Sequence, residues 1–188
     1  MRLFTAILLP PEMLLRLERL LSALRPEALI KWSPLDNLHI TVKFIGNWPE
    51  NRLPELNAAL AAIPPRDSFE IHICDLGWFP DNRSPRVLWA GVQNCPALLE
   101  LAKETEARLE ALGIAKEDRA FAPHLTLARI KNPIPLNRLR ERVEELQPAD
   151  LGTFRARSFS LFRSDPGSNA SVYRNLRDYR FESAMAVS

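Results

Sequence analysis

The sequence predicts an α+β fold of two lobes, each with a mainly antiparallel sheet and outer helices, around a central cleft. Three observations carry that expectation. Strand-like alternating runs and helical stripes succeed one another too irregularly for a doubly wound parallel sheet, and no Gly-rich phosphate loop follows a strand. The run Leu38-His39-Ile40-Thr41-Val42-Lys43-Phe44 has a near-copy in Pro123-His124-Leu125-Thr126-Leu127-Ala128-Arg129. The two histidines lie 85 residues apart, close to half of the 188-residue chain, so the lobes should be related by a pseudo-twofold axis.

The elements follow in order. Met1 to Leu9 reads as a buried strand stopped by Pro10 and Pro11, and is too short for the apolar region of a signal peptide. Glu12 to Leu24 repeats apolar residues at 13, 14, 17, 20, 21 and 24 with Arg16, Glu18 and Arg19 between them, which predicts an amphipathic helix closed by Pro26. Leu29 to Trp32 predicts a short strand, and Asp36-Asn37 a turn into the first histidine strand, which Gly46 ends. Pro49 to about Ile63 predicts a second helix, stopped by Pro64-Pro65. Phe69 to Cys74 and Arg86 to Val92 predict two strands joined by the turn-rich Asp81-Asn82-Arg83-Ser84-Pro85. Pro96 to Leu112 predicts a third helix with Gly113 at its C-terminal side. After the second histidine strand come a charged helix over Leu136 to Leu146 and strands over Phe154 to Phe162 and Val172 to Phe181. No flexible linker or low-complexity segment divides the chain, so residues 1–188 are expected to form one domain of two tightly joined lobes.

Composition excludes several classes. The apolar fraction of 46% and charged fraction of 26% are those of an ordinary globular protein. No apolar run approaches the length that spans a bilayer, so no membrane association is expected. Cys74 and Cys95 are the only cysteines, which excludes a disulfide framework and a cysteine zinc site, and points to a reduced cytoplasm. The net charge of +2 is unevenly placed: Leu151 to Ser188 carries +3 and the remainder −1. Twenty of the basic residues are arginine, whose planar fork suits phosphate, although a solvated strand face explains any single one of them equally well.

Period-two alternation puts His39 and Thr41 on one face of their strand, with Ile40, Val42 and Phe44 on the other. His124 and Thr126 share a face in the same way against Leu125 and Leu127. One His-x-Thr is a weak signal; two, in apolar strands at matching points of the chain, are a strong one. His72, with no threonine two residues on, reads as a structural or surface histidine. A metal centre needs three or four ligands, and threonines in place of carboxylates or cysteines do not supply them, so no metal is expected. Nothing resembles a nucleophile elbow. Two histidines across a cleft suit concerted acid–base catalysis, one imidazole taking a proton from water while one imidazolium donates to a leaving oxygen. Threonine hydroxyls aimed into the same space suit the non-bridging oxygens of a phosphoryl group.

The strings Asn37-Leu38-His39-Ile40-Thr41-Val42-Lys43-Phe44-Ile45-Gly46 and Phe121-Ala122-Pro123-His124-Leu125-Thr126-Leu127-Ala128-Arg129 resemble the 2H phosphoesterase superfamily. Within it they look like the bacterial and archaeal RNA 2′,3′-cyclic phosphodiesterases, first called 2′-5′ RNA ligases. Arg2-Leu3-Phe4-Thr5-Ala6-Ile7 and Leu161-Phe162-Arg163-Ser164 with Gly167 and Tyr173 are similar to that branch as well. The resemblance implies two antiparallel sheets around a V-shaped cleft and hydrolysis of a terminal 2′,3′-cyclic phosphate to a 2′-phosphate. It implies His39 as proton donor, His124 as proton acceptor, and Thr41 and Thr126 as phosphate-binding groups. RNA ends or nucleotides bearing a 2′,3′-cyclic phosphate are the expected partners, with no cofactor and a monomeric chain. Reversal to 2′-5′ ligation, and an RNA-end-binding module with little turnover, are the alternatives.

Lys43 shares the His39 face by period and is a candidate substrate contact. Arg129 is another, although strict alternation turns it away from His124 unless a bulge re-aims it. Phe44, Trp32 and Phe121 could stack on a base, with the core the favoured place for Phe44.

Overall fold

In a computed structural model, residues 1–182 are described. They form strands β1 (Arg2–Leu8), β2 (Lys31–Trp32), β3 (His39–Asn47), β4 (Phe69–Phe79), β5 (Val87–Val92), β6 (His124–Arg129), β7 (Asp150–Ala156), β8 (Ser158–Asp165) and β9 (Val172–Arg180). The helices are α1 (Pro11–Leu24), α2 (Leu53–Ala61), α3 (Pro96–Glu110) and α4 (Asn137–Glu145).

The strands lie in the order β7-β4-β5-β6-β3-β1-β8-β9, with β2 paired to β6, and every pairing is antiparallel. The two expected sheets are the halves β7-β4-β5-β6 and β3-β1-β8-β9. They meet where Ile40 of β3 lies opposite Leu125 of β6, so by hydrogen bonding the halves form one continuous sheet. Ile40 and Leu125 are the equivalent residues of the two His-x-Thr motifs. An antiparallel pair of equivalent residues has a local twofold between them, so the pseudo-symmetry read from sequence runs through this seam.

Helices cover the face away from the histidines. α1 starts at Pro11, whose fixed φ and missing N–H suit a first helical position, and buries Met13, Leu17, Leu20, Leu21 and Leu24. Full burial of one such side chain contributes about 1.5–3 kcal/mol, so this stripe fixes the helix against β7 and α4. α3 packs on β3 and against α2, and the Tyr179 hydroxyl of β9 reaches Asn57 Oδ1 of α2 at 2.8 Å. The main core lies beneath these helices. A small second cluster, Phe4, Ala6 and Phe162 with Tyr173 against it, sits apart from it.

Three boundaries differ from the sequence reading. The second helix spans only Leu53–Ala61, preceded by a 3-10 turn over Glu50–Arg52. β4 continues to Phe79, because a bulge at Asp75 (φ +63°) resets its alternation and the strand goes on pairing with β5. Phe154 to Phe162 is two strands, not one. Phe154 and Ala156 bury their side chains at even positions, while Phe159 and Leu161 do so at odd ones. The phase changes at Arg157, where the chain passes from one half-sheet to the other.

Candidate active site

The seam between β3 and β6 brings the two motifs together. Ile40 and Leu125 have no exposure, so their neighbours His39, Thr41, His124 and Thr126 occupy the opposite face, where each is only half-buried. Both histidines are held in one manner. His39 Nδ1 donates to the Asn37 carbonyl at 2.7 Å, and His124 Nδ1 donates to the Ala122 carbonyl at 2.7 Å. A carbonyl accepts only, so Nδ1 carries the proton and Nε2 is left for chemistry in the neutral ring. His39 Nε2 lies 3.0 Å from Thr41 Oγ1. Each ring also rests on an aromatic edge: Tyr173 at 5.3 Å for His39 and Phe79 at 5.0 Å for His124, both nearly perpendicular. Phe4 lies 4.9 Å from His39 and 5.0 Å from Tyr173, so the three rings form one cluster. A ring held by one hydrogen bond and packed aromatics loses little freedom when it reacts.

Burial lowers the pKa of His39, and the charges of His124 and Arg129 lower it further, against the opposing effect of the Asn37 carbonyl. Burial likewise lowers His124, helped by Arg129 and opposed by Ala122. The two imidazoles and the guanidinium therefore share one field. That field favours an anion among them.

The motifs carry matching β-bulges, which period-two counting misses. In β3, Ala6 faces Thr41 and Thr5 faces Lys43, so Val42 is the extra residue. In β6, Trp89 faces Thr126 and Leu88 faces Ala128, so Leu127 is extra. Side chains beyond each bulge change face. Arg129 is thereby exposed on the histidine side, where its charge lowers the pKa of both rings.

The bulge at Val42 overturns the expectation for Lys43. It is 3% exposed and points away from His39, with Nζ 3.0 Å from Glu106 Oε1 of α3, 2.9 Å from the Ala115 carbonyl and 3.6 Å from Glu117 Oε1. Phe44, expected in the core, is instead 53% exposed, with its ring 6.2 Å from Phe4. Trp32 donates Nε1 to the Ala28 carbonyl at 3.1 Å, and both it and Phe121 pack against the main core. Phe79 escaped the sequence reading, and Phe4, Tyr173, Asn37 and Ala122 entered it only within the resembling strings, because nothing local marks them as supports of the histidines. His72 is structural, its Nε2 2.7 Å from Asp150 Oδ1 and its Nδ1 2.7 Å from Gln93 Oε1.

A family model described as the 2′-5′ RNA ligase superfamily matches residues 10–168, a span that holds both motifs. The chain belongs to this superfamily. Among the curated members it resembles is the RNA 2′,3′-cyclic phosphodiesterase of Methanocaldococcus jannaschii, 34% identical over 180 residues, which are 95% of this chain and all of the relative. The Thermus thermophilus protein of the same description is 32% identical over 189 residues, covering 95% of this chain and 89% of the relative. Solved structures share the fold. The crystal structure of TT0787 from Thermus thermophilus superposes with a TM-score of 0.83 at 30% identity, over 98% of this chain and all of that one. Escherichia coli LigT complexed with 3′-AMP gives 0.76 at 25% identity, over 96% and 97%.

Proposed function

We propose that this superfamily member hydrolyses terminal 2′,3′-cyclic phosphates of RNA or nucleotides to 2′-phosphates by two-histidine acid–base catalysis. The observation that carries the reading is the doubled geometry: two imidazoles, each with Nδ1 donating to a carbonyl two residues back, flank one seam and turn Nε2 to the chemistry, that of His39 beside the Thr41 hydroxyl. Curated relatives described as RNA 2′,3′-cyclic phosphodiesterases support the substrate class.

In this reading neutral His124 takes a proton from water through Nε2 as the water oxygen bonds to phosphorus. The bond from phosphorus to the 3′ oxygen breaks, and imidazolium His39 gives its Nε2 proton to that oxygen. The products are a 3′-hydroxyl and a 2′-phosphate, and the histidines exchange protons with solvent to reset. Thr41, Thr126 and Arg129 meet the non-bridging oxygens, where charge builds. Joining a 5′-hydroxyl end to the cyclic phosphate uses the same two nitrogens with an alcohol in place of water.

The chain works as one domain of two joined lobes. It functions as a monomer in a reducing cytoplasm, where Cys74 and Cys95 stay free thiols. Among the described residues no helix is long and apolar enough to cross a membrane.

The test is turnover of adenosine 2′,3′-cyclic phosphate and a cyclic-phosphate RNA in excess chelator, with the product identified. A 2′-phosphate is expected, and His39→Ala and His124→Ala should each lose about 10²–10⁴-fold in rate. Retained turnover in both variants would sink the reading, and binding of the RNA without product would leave an end-binding module.

A further inference from the structure

We infer that the tip of the β4–β5 hairpin, together with β2 and the end of β6, is a binding surface for the RNA chain that precedes the cyclic phosphate. The inference rests on the function proposed above and extends it from the reacting end to the body of the polymer.

The surface grows outward from Arg129. In register, Lys31 of β2 lies opposite Arg129 on one side and Val87 of β5 lies opposite it on the other. Residues directly opposite in an antiparallel pair share a face, so Lys31 and Arg129 stand together on the histidine side. The backbone binds Arg86 and Lys131 to the same corner: Ile130 N–H donates to the Arg86 carbonyl at 2.9 Å, and the Arg86 guanidinium reaches the Lys131 carbonyl at 3.4 Å. Arg83 lies in the turn between β4 and β5. Lys31, Arg83, Arg86, Arg129 and Lys131 are all exposed, and none has an ion-pair partner among the described residues. Asp81, the carboxylate in the turn, accepts the Arg83 and Ser84 amides through Oδ1.

Like charges directly opposite on paired strands destabilise a sheet. Lys31 directly opposite Arg129 therefore costs the sheet, and the exposed cations gathered around that pair without ion-pair partners among the described residues favour a polyanion. Three of the six arginines near the C-terminus behave otherwise. Arg163 and Arg174 both pair with Asp165, at 2.8 and 3.4 Å, and Arg155 lies 3.7 Å from Glu70. The cationic corner also leads into the site, because Arg129 ends the strand that His124 begins and is turned to the histidine side by the bulge at Leu127. A single-stranded ribonucleotide chain whose 3′ end sits between the histidines carries its next phosphates outward in a row. A protein acid or a free nucleotide does not need such a row.

The experiment compares the wild type with the Lys31→Gln/Arg86→Gln/Lys131→Gln triple variant. Substrates are an oligoribonucleotide of about ten residues ending in a 2′,3′-cyclic phosphate and adenosine 2′,3′-cyclic phosphate. Each phosphate contact on a single strand adds about 0.7 to the log–log salt slope, so three contacts make wild-type kcat/KM on RNA fall about 20-fold between 50 and 200 mM salt. In the triple variant that extra salt dependence should vanish, and the ratio of RNA to mononucleotide kcat/KM at 50 mM should drop at least ten-fold. An unchanged ratio and slope overturn the inference while mononucleotide turnover stands. Fluorescence anisotropy with a 3′-phosphate-ended RNA of the same sequence needs no catalysis. Loss of its salt slope in the triple variant would uphold the surface even if neither substrate were turned over, a result that would instead defeat the proposed activity.

Discussion

Replacing Lys43 by Met separates the two places that this residue could occupy. On the cleft face it would meet substrate. In the structure it is sealed under α3, its side chain 2% exposed, with Nζ held by Glu106, Glu117 and the Ala115 carbonyl. Met keeps most of the aliphatic stem, so little packing is lost. What goes is one charge-assisted hydrogen bond to Glu106, worth about 1.5–3 kcal/mol, and the donor to a backbone carbonyl, worth about 1 kcal/mol. A fully buried pair broken on one side costs about 3–5 kcal/mol. Here the stranded carboxylates of Glu106 and Glu117 are 29% and 56% exposed and can hydrate, which reduces the sum. A net loss of about 2 kcal/mol is expected. With a urea dependence of about 2 kcal/mol per molar, the unfolding midpoint should fall by about 1 M. The folded variant should keep wild-type KM for cyclic-phosphate RNA to within about two-fold. An unchanged midpoint with a raised KM would refute the bulge at Val42 as the feature that turns Lys43 away.

Two further outcomes follow from the charged groups. Arg129→Gln removes a cation that lowers the His39 and His124 imidazoles, so both pKa values rise and the kcat/KM–pH profile should move to higher pH, alongside weaker binding; a profile left in place would show that Arg129 does not act on the rings. The pKa of His72 is raised, first by Asp150 and then by Gln93, so its folded value lies above the unfolded value near 6.5. Its stabilisation is complete below about 6.5 and is lost as pH rises through the folded value. His39 and His124, with lowered values, act in the opposite sense, so the test is the difference between proteins: the melting temperature of the wild type minus that of His72→Gln should shrink as pH rises above about 6.5, and a difference independent of pH would count against the Asp150–His72–Gln93 link.

The histidine half of the site was legible because alternation needs only a local chain: residues 39 to 42 and 124 to 127 keep strict period, and His39, Thr41, His124 and Thr126 stand where counting puts them. Legibility ended at Val42 and Leu127. A bulge is a property of a strand pair, and these depend on β1 and β5, which lie far away in sequence. One kind of irregularity therefore explains all three placements: Lys43 went inward, Phe44 came out, and Arg129 turned to the histidine side. The division of Phe154 to Phe162 was hidden for a related reason. Both strands are apolar and alternate, and only the change of phase at Arg157 separates them. The cationic corner was out of reach for counting because Lys31, Arg86 and Lys131 are brought together by pairing alone.

The division of labour between the histidines is tested most directly by a cyclic substrate whose bridging 3′ oxygen is sulfur. A thiolate leaves without a proton, so this substrate needs the base but not the acid. The account predicts that His39→Ala, crippled on the oxygen substrate, recovers most of the wild-type rate on the sulfur one, while His124→Ala stays crippled on both. Recovery in His124→Ala instead would reverse the two roles, and recovery in neither would contradict acid–base catalysis across the seam.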